Sequence, residues 1–175
     1  PELPEAETLT RQMRAALVGE TIVHVRATKA RCVRLHPSTR EFEESCAGRL
    51  VTDVRRRGKL PVLTLDATRC LVVRLGMSGR LLISTPEEPR PPHTHVVFTL
   101  SSGAELRYVD PRTFGHLSVW TGTNLDQIPG LDELGSEPLS EEFDARELHR
   151  RLCRSRSKLA VALMNQRIVA GIGKI

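Results

Sequence analysis

The alternation of apolar and polar positions divides the chain into three textures. Residues 4–18 place Thr8, Met13, Ala16 and Leu17 at roughly helical spacing and run into Gly19, so the pattern predicts a first helix there. From Thr21 to Trp120 the period shortens. β-Branched runs at Thr21–Val25, Leu50–Val54, Pro61–Leu65, Cys70–Leu75, His95–Leu100, Leu106–Val109 and Leu117–Trp120 are separated by Gly, Pro, Ser and Asp, the rhythm of an antiparallel sandwich or barrel. Ser84–Pro92, rich in Pro and Glu, reads as an exposed loop. Helical texture returns after residue 139. Ser140 is the expected cap, with Phe143, Leu148 and Leu152 on one apolar face, and a second helix over Ser157–Gln166 is expected to turn Leu159 and Leu163 inward. The glycines of Ala170–Gly173 predict a tight turn.

These textures imply an α+β fold. An N-terminal helix and an antiparallel β-sandwich occupy residues 1–121, a linker broken by Gly122, Pro129, Gly130, Gly135 and Pro138 occupies 122–139, and a partial helical module occupies 140–175. Composition narrows the picture. Hydrophobic residues make up 39% of the 175 but aromatics only 3%, so aliphatic side chains must fill the core. Lys and Arg exceed Asp and Glu by 26 to 21, and the +5 net charge suits a polyanionic partner. Cys32, Cys46, Cys70 and Cys153 are scattered with no CxxC spacing, which argues against a metal site in this chain and reads as reduced thiols of a cytoplasmic protein. No apolar run approaches the ~18 residues of a membrane span.

Candidate chemistry starts at the first residue. Pro1 presents a secondary amine, which can attack an electrophilic carbon when unprotonated, and Glu2 stands beside it as a proton donor or acceptor. Taken alone, the pair reads more simply as a trimmed terminus with a solvated charge. The basic turn Arg55–Lys59 and the basic stretch Arg146–Lys158 are candidate phosphate contacts. His93 and His95 stand two apart with no third metal ligand nearby.

Six motifs then follow the opening Pro1-Glu2-Leu3-Pro4-Glu5-Ala6-Glu7-Thr8 in order. They are Arg56-Arg57-Gly58-Lys59, Leu75-Gly76-Met77-Ser78-Gly79-Arg80-Leu81, His93-Thr94-His95, Arg107 through Gly115, Leu134 through Leu139, and Val169-Ala170-Gly171-Ile172-Gly173. Together they resemble the N-terminal two-thirds of the formamidopyrimidine-DNA glycosylases, and Leu3 separates the chain from the related endonuclease VIII proteins. The resemblance implies a bifunctional glycosylase and abasic-site lyase acting on oxidised purines through a Schiff base on Pro1. Glu2 would open the sugar ring and Lys59 would hold the adjacent phosphate. Met77, Arg112 and Phe114 would fill the duplex behind a flipped base. His93, Arg154, Gly173 and Lys174 would contact the DNA backbone, the last two in a helix–two-turn–helix module left incomplete at residue 175. The implied partner is double-stranded DNA with oxidised bases or abasic sites, bound by a monomer in the bacterial cytoplasm. No cofactor is expected in this chain; the family's zinc finger would lie in a further C-terminal region. Two positions depart from the pattern: Lys174 stands where the family has asparagine, and Ala160 where it has a lysine tied to oxidised-purine recognition. These departures keep open a preference for oxidised pyrimidines, or an inactive relative that only binds damaged DNA.

Overall fold

The computed structural model describes residues 2–174. Its first helix, α1 (Leu3–Leu17), buries Ala6, Thr10, Met13 and Leu17. This is the i, i+4, i+7, i+11 line that a 3.6-residue period draws through Met13 and Leu17. The expected face is therefore corrected: Thr8 and Ala16 are exposed. Thr10 can occupy the buried stripe because its hydroxyl donates to Ala6 O at 2.7 Å. Gly19 does end the helix, with φ +92°, and its N–H donates to Val51 O.

Eight strands follow: β1 (Thr21–Ala27), β2 (Arg49–Arg57), β3 (Leu60–Leu65), β4 (Arg69–Arg74), β5 (Arg80–Ser84), β6 (Thr94–Leu100), β7 (Glu105–Val109) and β8 (His116–Thr121). They are hydrogen-bonded in the order β5-β7-β6-β1-β2-β3-β4-β8, with every pairing antiparallel. β1 and β2 meet only at Thr21↔Leu50 and Ile22↔Arg49. Across that short joint both halves contribute to one core: Val25, Phe98, Leu106 and Tyr108 from one side, Val54, Leu63, Leu71 and Leu117 from the other. Among the strands and α-helices, two escape the sequence reading. β5 is one, and α2 (Thr39–Cys46), which sends Phe42 and Cys46 into the core, is the other. Ser38 caps α2 by accepting from Glu41 N at 3.1 Å, so Ser38-x-x-Glu41 is the signal in sequence that marks it.

Residues 122–139 are more than a tether. Ile128 and Leu131 are buried against Val62, Cys70 and Val72 on the outer side of β3 and β4. Beyond them lie α3 (Ala145–Arg154) and α4 (Leu159–Met164). The cap of α3 is Asp144, whose carboxylate accepts from Arg146 N, while Ser140 closes a separate turn with Phe143. α4 begins at Leu159 after Lys158, whose ψ of 144° is not helical, and Leu159 is exposed rather than inward.

Candidate functional site

The N-terminus, the β2–β3 turn and the glycine turn converge. Pro1 lies outside the described residues. Glu2 is anchored by its backbone: its N–H donates to Glu5 Oε2 at 2.5 Å, and its carbonyl accepts from Ala6 N at 2.9 Å. Leu3 N donates to Gly171 O at 3.1 Å, which lays the glycine turn across the start of α1. Gln166 braces that turn, accepting from Gly171 N at 2.8 Å and donating to Ile172 O at 2.6 Å. Gly171 needs to be glycine, having φ +99° and lying so close to Leu3 that a Cβ would sit 2.8 Å from its Cδ1. Lys59 Nζ reaches Glu2 Oε2 at 2.8 Å. The approach lies outside hydrogen-bond directions, so this buried oxygen has an ionic partner but no well-directed hydrogen bond.

Lys59 owes its place to the arginines before it. Arg56 is only 8% exposed and pairs with Glu7 at 2.8 Å and Glu137 at 2.6 Å. Arg57, 12% exposed, pairs with Glu137 at 3.1 Å and donates to the carbonyls of Leu134 and Gly135. Glu137 also accepts from Gly58 N in a very short bond. Hydrogen bonds from Arg56 and Arg11 hold the Glu7 carboxyl below its ordinary range. The expectation that the whole Arg55–Lys59 turn faces phosphates is thus corrected. Arg56 and Arg57 are consumed internally, Arg55 donates to Thr123 O, and Lys59 is the cation that the turn delivers to the site.

A second group is built on two loops. Met77 is 75% exposed and Phe114 is 47% exposed, so neither is a core residue. Arg112 joins them: its guanidinium lies 4.6 Å from the Phe114 ring centre and donates to Met77 Sδ at 3.7 Å. The knot beneath is Asp110, fully buried, which accepts from Ser78 Oγ (2.6 Å), Tyr108 OH (3.0 Å), Gly115 N (2.9 Å) and Arg112 N (3.3 Å). Burial alone would raise its carboxyl pKa, but these donors outweigh it and hold the value below the ordinary range. Asp110 also pushes the Tyr108 hydroxyl upward, second to burial. Thr113, between Arg112 and Phe114, sits at φ +52°, an uncommon and strained conformation for a β-branched residue. His93 is exposed on the neighbouring turn, where its carbonyl accepts from Asp110 N at 3.1 Å.

A cleft of about 330 Å³ links the two groups, lined by Lys59, Arg34, Arg74, Gly76, Phe114 and His116. Burial, then Arg34 and Arg74, push His116 down to about 4. Its Nδ1 is buried without a hydrogen bond. Arg34, Arg74, His116, Asp110, Glu137 and Gln166 do not stand out in sequence as site residues, because each acts through burial or through partners that the fold brings to it. Lys174 is exposed beside the glycine turn, and Arg154 stands apart on the last turn of α3. Among the described residues, no three His, Cys, Asp or Glu side chains converge to hold a metal ion, so the zinc implied by the resemblance has no ligand set there. Nor is any helix among them long and apolar enough to cross a membrane.

Known proteins are similar to this chain in sequence and in fold. A formamidopyrimidine-DNA glycosylase of Moorella thermoacetica is 41% identical over all 175 residues, which span 64% of it, and that of Symbiobacterium thermophilum is 42% identical, with 57% of it spanned. The chain thus covers about three-fifths of their length. Among solved structures, a complex of the Lactococcus lactis enzyme with abasic-site DNA superposes with TM-score 0.88 at 28% identity, covering 99% of this chain and 63% of that one. A complex of the same enzyme with DNA containing FAPY-dG superposes with TM-score 0.87 at 29% identity, covering 98% and 64%. The family model described as formamidopyrimidine-DNA glycosylase N-terminal domain matches residues 1–117, and the chain belongs to the formamidopyrimidine-DNA glycosylase family.

Proposed function

We propose that the protein carrying this chain excises oxidised purines from double-stranded DNA and cleaves the resulting abasic site, with Pro1 as nucleophile. The observation that carries this reading is the seating of Glu2 at the start of α1, 2.8 Å from Lys59 and beneath the glycine turn. A carboxylate and an ammonium are thereby held together at the residue that follows Pro1 in the chain. The Pro1 nitrogen attacks C1′ of a flipped nucleotide, the C1′–O4′ bond breaks, and the Glu2 carboxylate relays to the ring oxygen the proton that the Pro1 amine loses. The base departs, and the iminium joining Pro1 to the opened sugar acidifies the neighbouring protons, so β- and then δ-elimination cut the strand. Lys59 neutralises the phosphate beside the lesion. The exposed Met77–Arg112–Phe114 group enters the vacated stack, where apolar contact offsets the missing base stacking. His93, Arg154 and Lys174 contact backbone phosphates.

Borohydride trapping of the full-length protein on abasic-site DNA tests the nucleophile. Trapping is expected with free Pro1 and is abolished when a methionine remains ahead of it, because the amine becomes a tertiary amide. Equal trapping by both forms removes Pro1 from the mechanism. A protein that binds damaged DNA yet neither traps nor excises is the inactive relative instead. Glu2→Gln is expected to slow excision of an intact damaged base more than cleavage of a preformed abasic site, which has already lost its base; equal losses count against the assigned role.

A further inference from the structure

We propose that Gly173 is a positioning residue for Glu2: the missing side chain at 173 forms the seat in which the Glu2 carboxylate lies beside Lys59. The inference rests on the reading of Glu2 under the proposed function and gives Gly173 a different role from the phosphate approach expected of it in sequence.

Three observations support it. First, backbone conformation does not demand glycine here. Gly171 occupies the left-handed region at φ +99°, whereas Gly173 has no positive φ, so an L-residue could adopt its backbone without strain. Second, space does demand it. The three heavy atoms nearest a Cβ built on Gly173 are Oε2, Cδ and Oε1 of Glu2, all far inside van der Waals contact. Third, both walls of the seat are fixed while the carboxylate is not. Glu2 is held by its main chain through Glu5 and Ala6, and the glycine turn is held by Leu3 and Gln166. The carboxylate has Lys59 at 2.8 Å, but its Oε2 has no well-directed hydrogen bond. Shape therefore sets its position more than hydrogen-bond direction does, and the cheapest response to a methyl group at 173 is rotation of the Glu2 side chain away from Lys59.

The test is a double-mutant cycle on the full-length protein with Glu2→Gln, Gly173→Ala and the double variant. Single-turnover excision of an oxidised guanine, borohydride trapping on a preformed abasic site and affinity for an abasic-analogue duplex are measured for each. Gly173→Ala is expected to reproduce the Glu2→Gln pattern, with excision lowered ~100-fold, trapping lowered much less and affinity nearly unchanged. The double variant is expected to be no slower than Glu2→Gln, because both changes remove the same group from the same place. Losses that multiply, or a Gly173→Ala defect that falls mainly on affinity, overturn the proposal in favour of a phosphate contact. A crystal structure of Gly173→Ala decides independently of activity: the Glu2 carboxylate is expected beyond the ~4 Å ion-pair reach of Lys59, and an unmoved carboxylate refutes the seat. If the unmodified protein neither excises nor traps, the functional reading fails, while the structure of the variant still settles the geometry.

Discussion

The turn Arg55–Lys59 and the stretch Arg146–Lys158 look alike as charge runs, yet the fold treats them in opposite ways. In the turn, Arg56 and Arg57 are buried between Glu7, Glu137 and the carbonyls of Leu134 and Gly135. Along α3, Arg150 and Arg151 share Glu147 at the surface. Arg146, Arg154, Arg156 and Lys158 are exposed and have no ion-pair partner among the described residues. What separates the two are carboxylates brought from far along the chain, above all Glu137, which pairs with both arginines from about 80 positions away, with Glu7 on the other side of Arg56. The buried arginines tie the C-terminal segment to the sheet and thereby present Lys59; the helical ones remain available to an anionic partner.

The largest effect expected from breaking this contrast is at Glu137. Glu137→Ala leaves Arg56 and Arg57 short of charge compensation in a buried place and is expected to cost about 3–5 kcal/mol of stability, measured by chemical denaturation. A loss near zero means the turn's arginines find water and the two stretches are equivalent after all.

Next comes the helical side. Replacing Arg154, Arg156 and Lys158 with glutamine is expected to flatten the dependence of log affinity for DNA on log salt by ~0.9 for each phosphate no longer neutralised. Arg57→Gln is expected to leave that slope unchanged, even if it weakens the fold. A slope that responds equally to both reverses the assignment.

A smaller effect sharpens the buried side. His116 lies with Arg34 and Arg74 in the cleft beside Lys59, without a carboxylate among those lining residues. Its folded-state pKa is pushed from 6.5 down to about 4, so the unfolded chain binds the proton more readily between those values. Stability contributed by neutral His116 is complete above pH 6.5 and declines as pH falls towards about 4. At about 1.4 kcal/mol per pKa unit, the decline is at most about 3 kcal/mol. His116→Gln should remove that part of the acid sensitivity in a thermal-melt series, and an unchanged profile shows that other groups govern it. The smallest effect is expected at Arg150→Ala, whose exposed pair with Glu147 is screened by solvent, so the denaturation midpoint should stay unchanged, and a clear drop would show that the surface pair holds the helix.

Legibility in sequence follows the range of the interaction. Seven of the eight strands announce themselves, because alternation and β-branching are local properties. β5 escapes because Arg80–Ser84 merges with the turn motif around Met77, and α2 because its Ser38–Glu41 cap lies in a stretch with the texture of strands and turns. The buried stripe of α1 keeps Met13 and Leu17 as expected but takes Ala6 and Thr10 in place of Thr8 and Ala16, because Thr10 looks polar until Ala6 O is seen to accept its proton. At the site, Glu2 and Lys59 can be named from motifs, but their 2.8 Å approach brings the start of α1 to the β2–β3 turn, which no spacing rule predicts.

By itself, then, the sequence determined the α+β class, the strand rhythm, the motifs that mark the family and the residue types available for chemistry. These depend on backbone sterics, local periodicity and the identity of side chains. Only the tertiary structure decided which cations are free and which are neutralised, that Asp110 knots the Met77 and Phe114 loops together, and that the space over Gly173 belongs to a carboxylate. Each of these depends on burial and on partners brought from distant parts of the chain, where removal of water makes a missing counter-charge or a single methyl group matter.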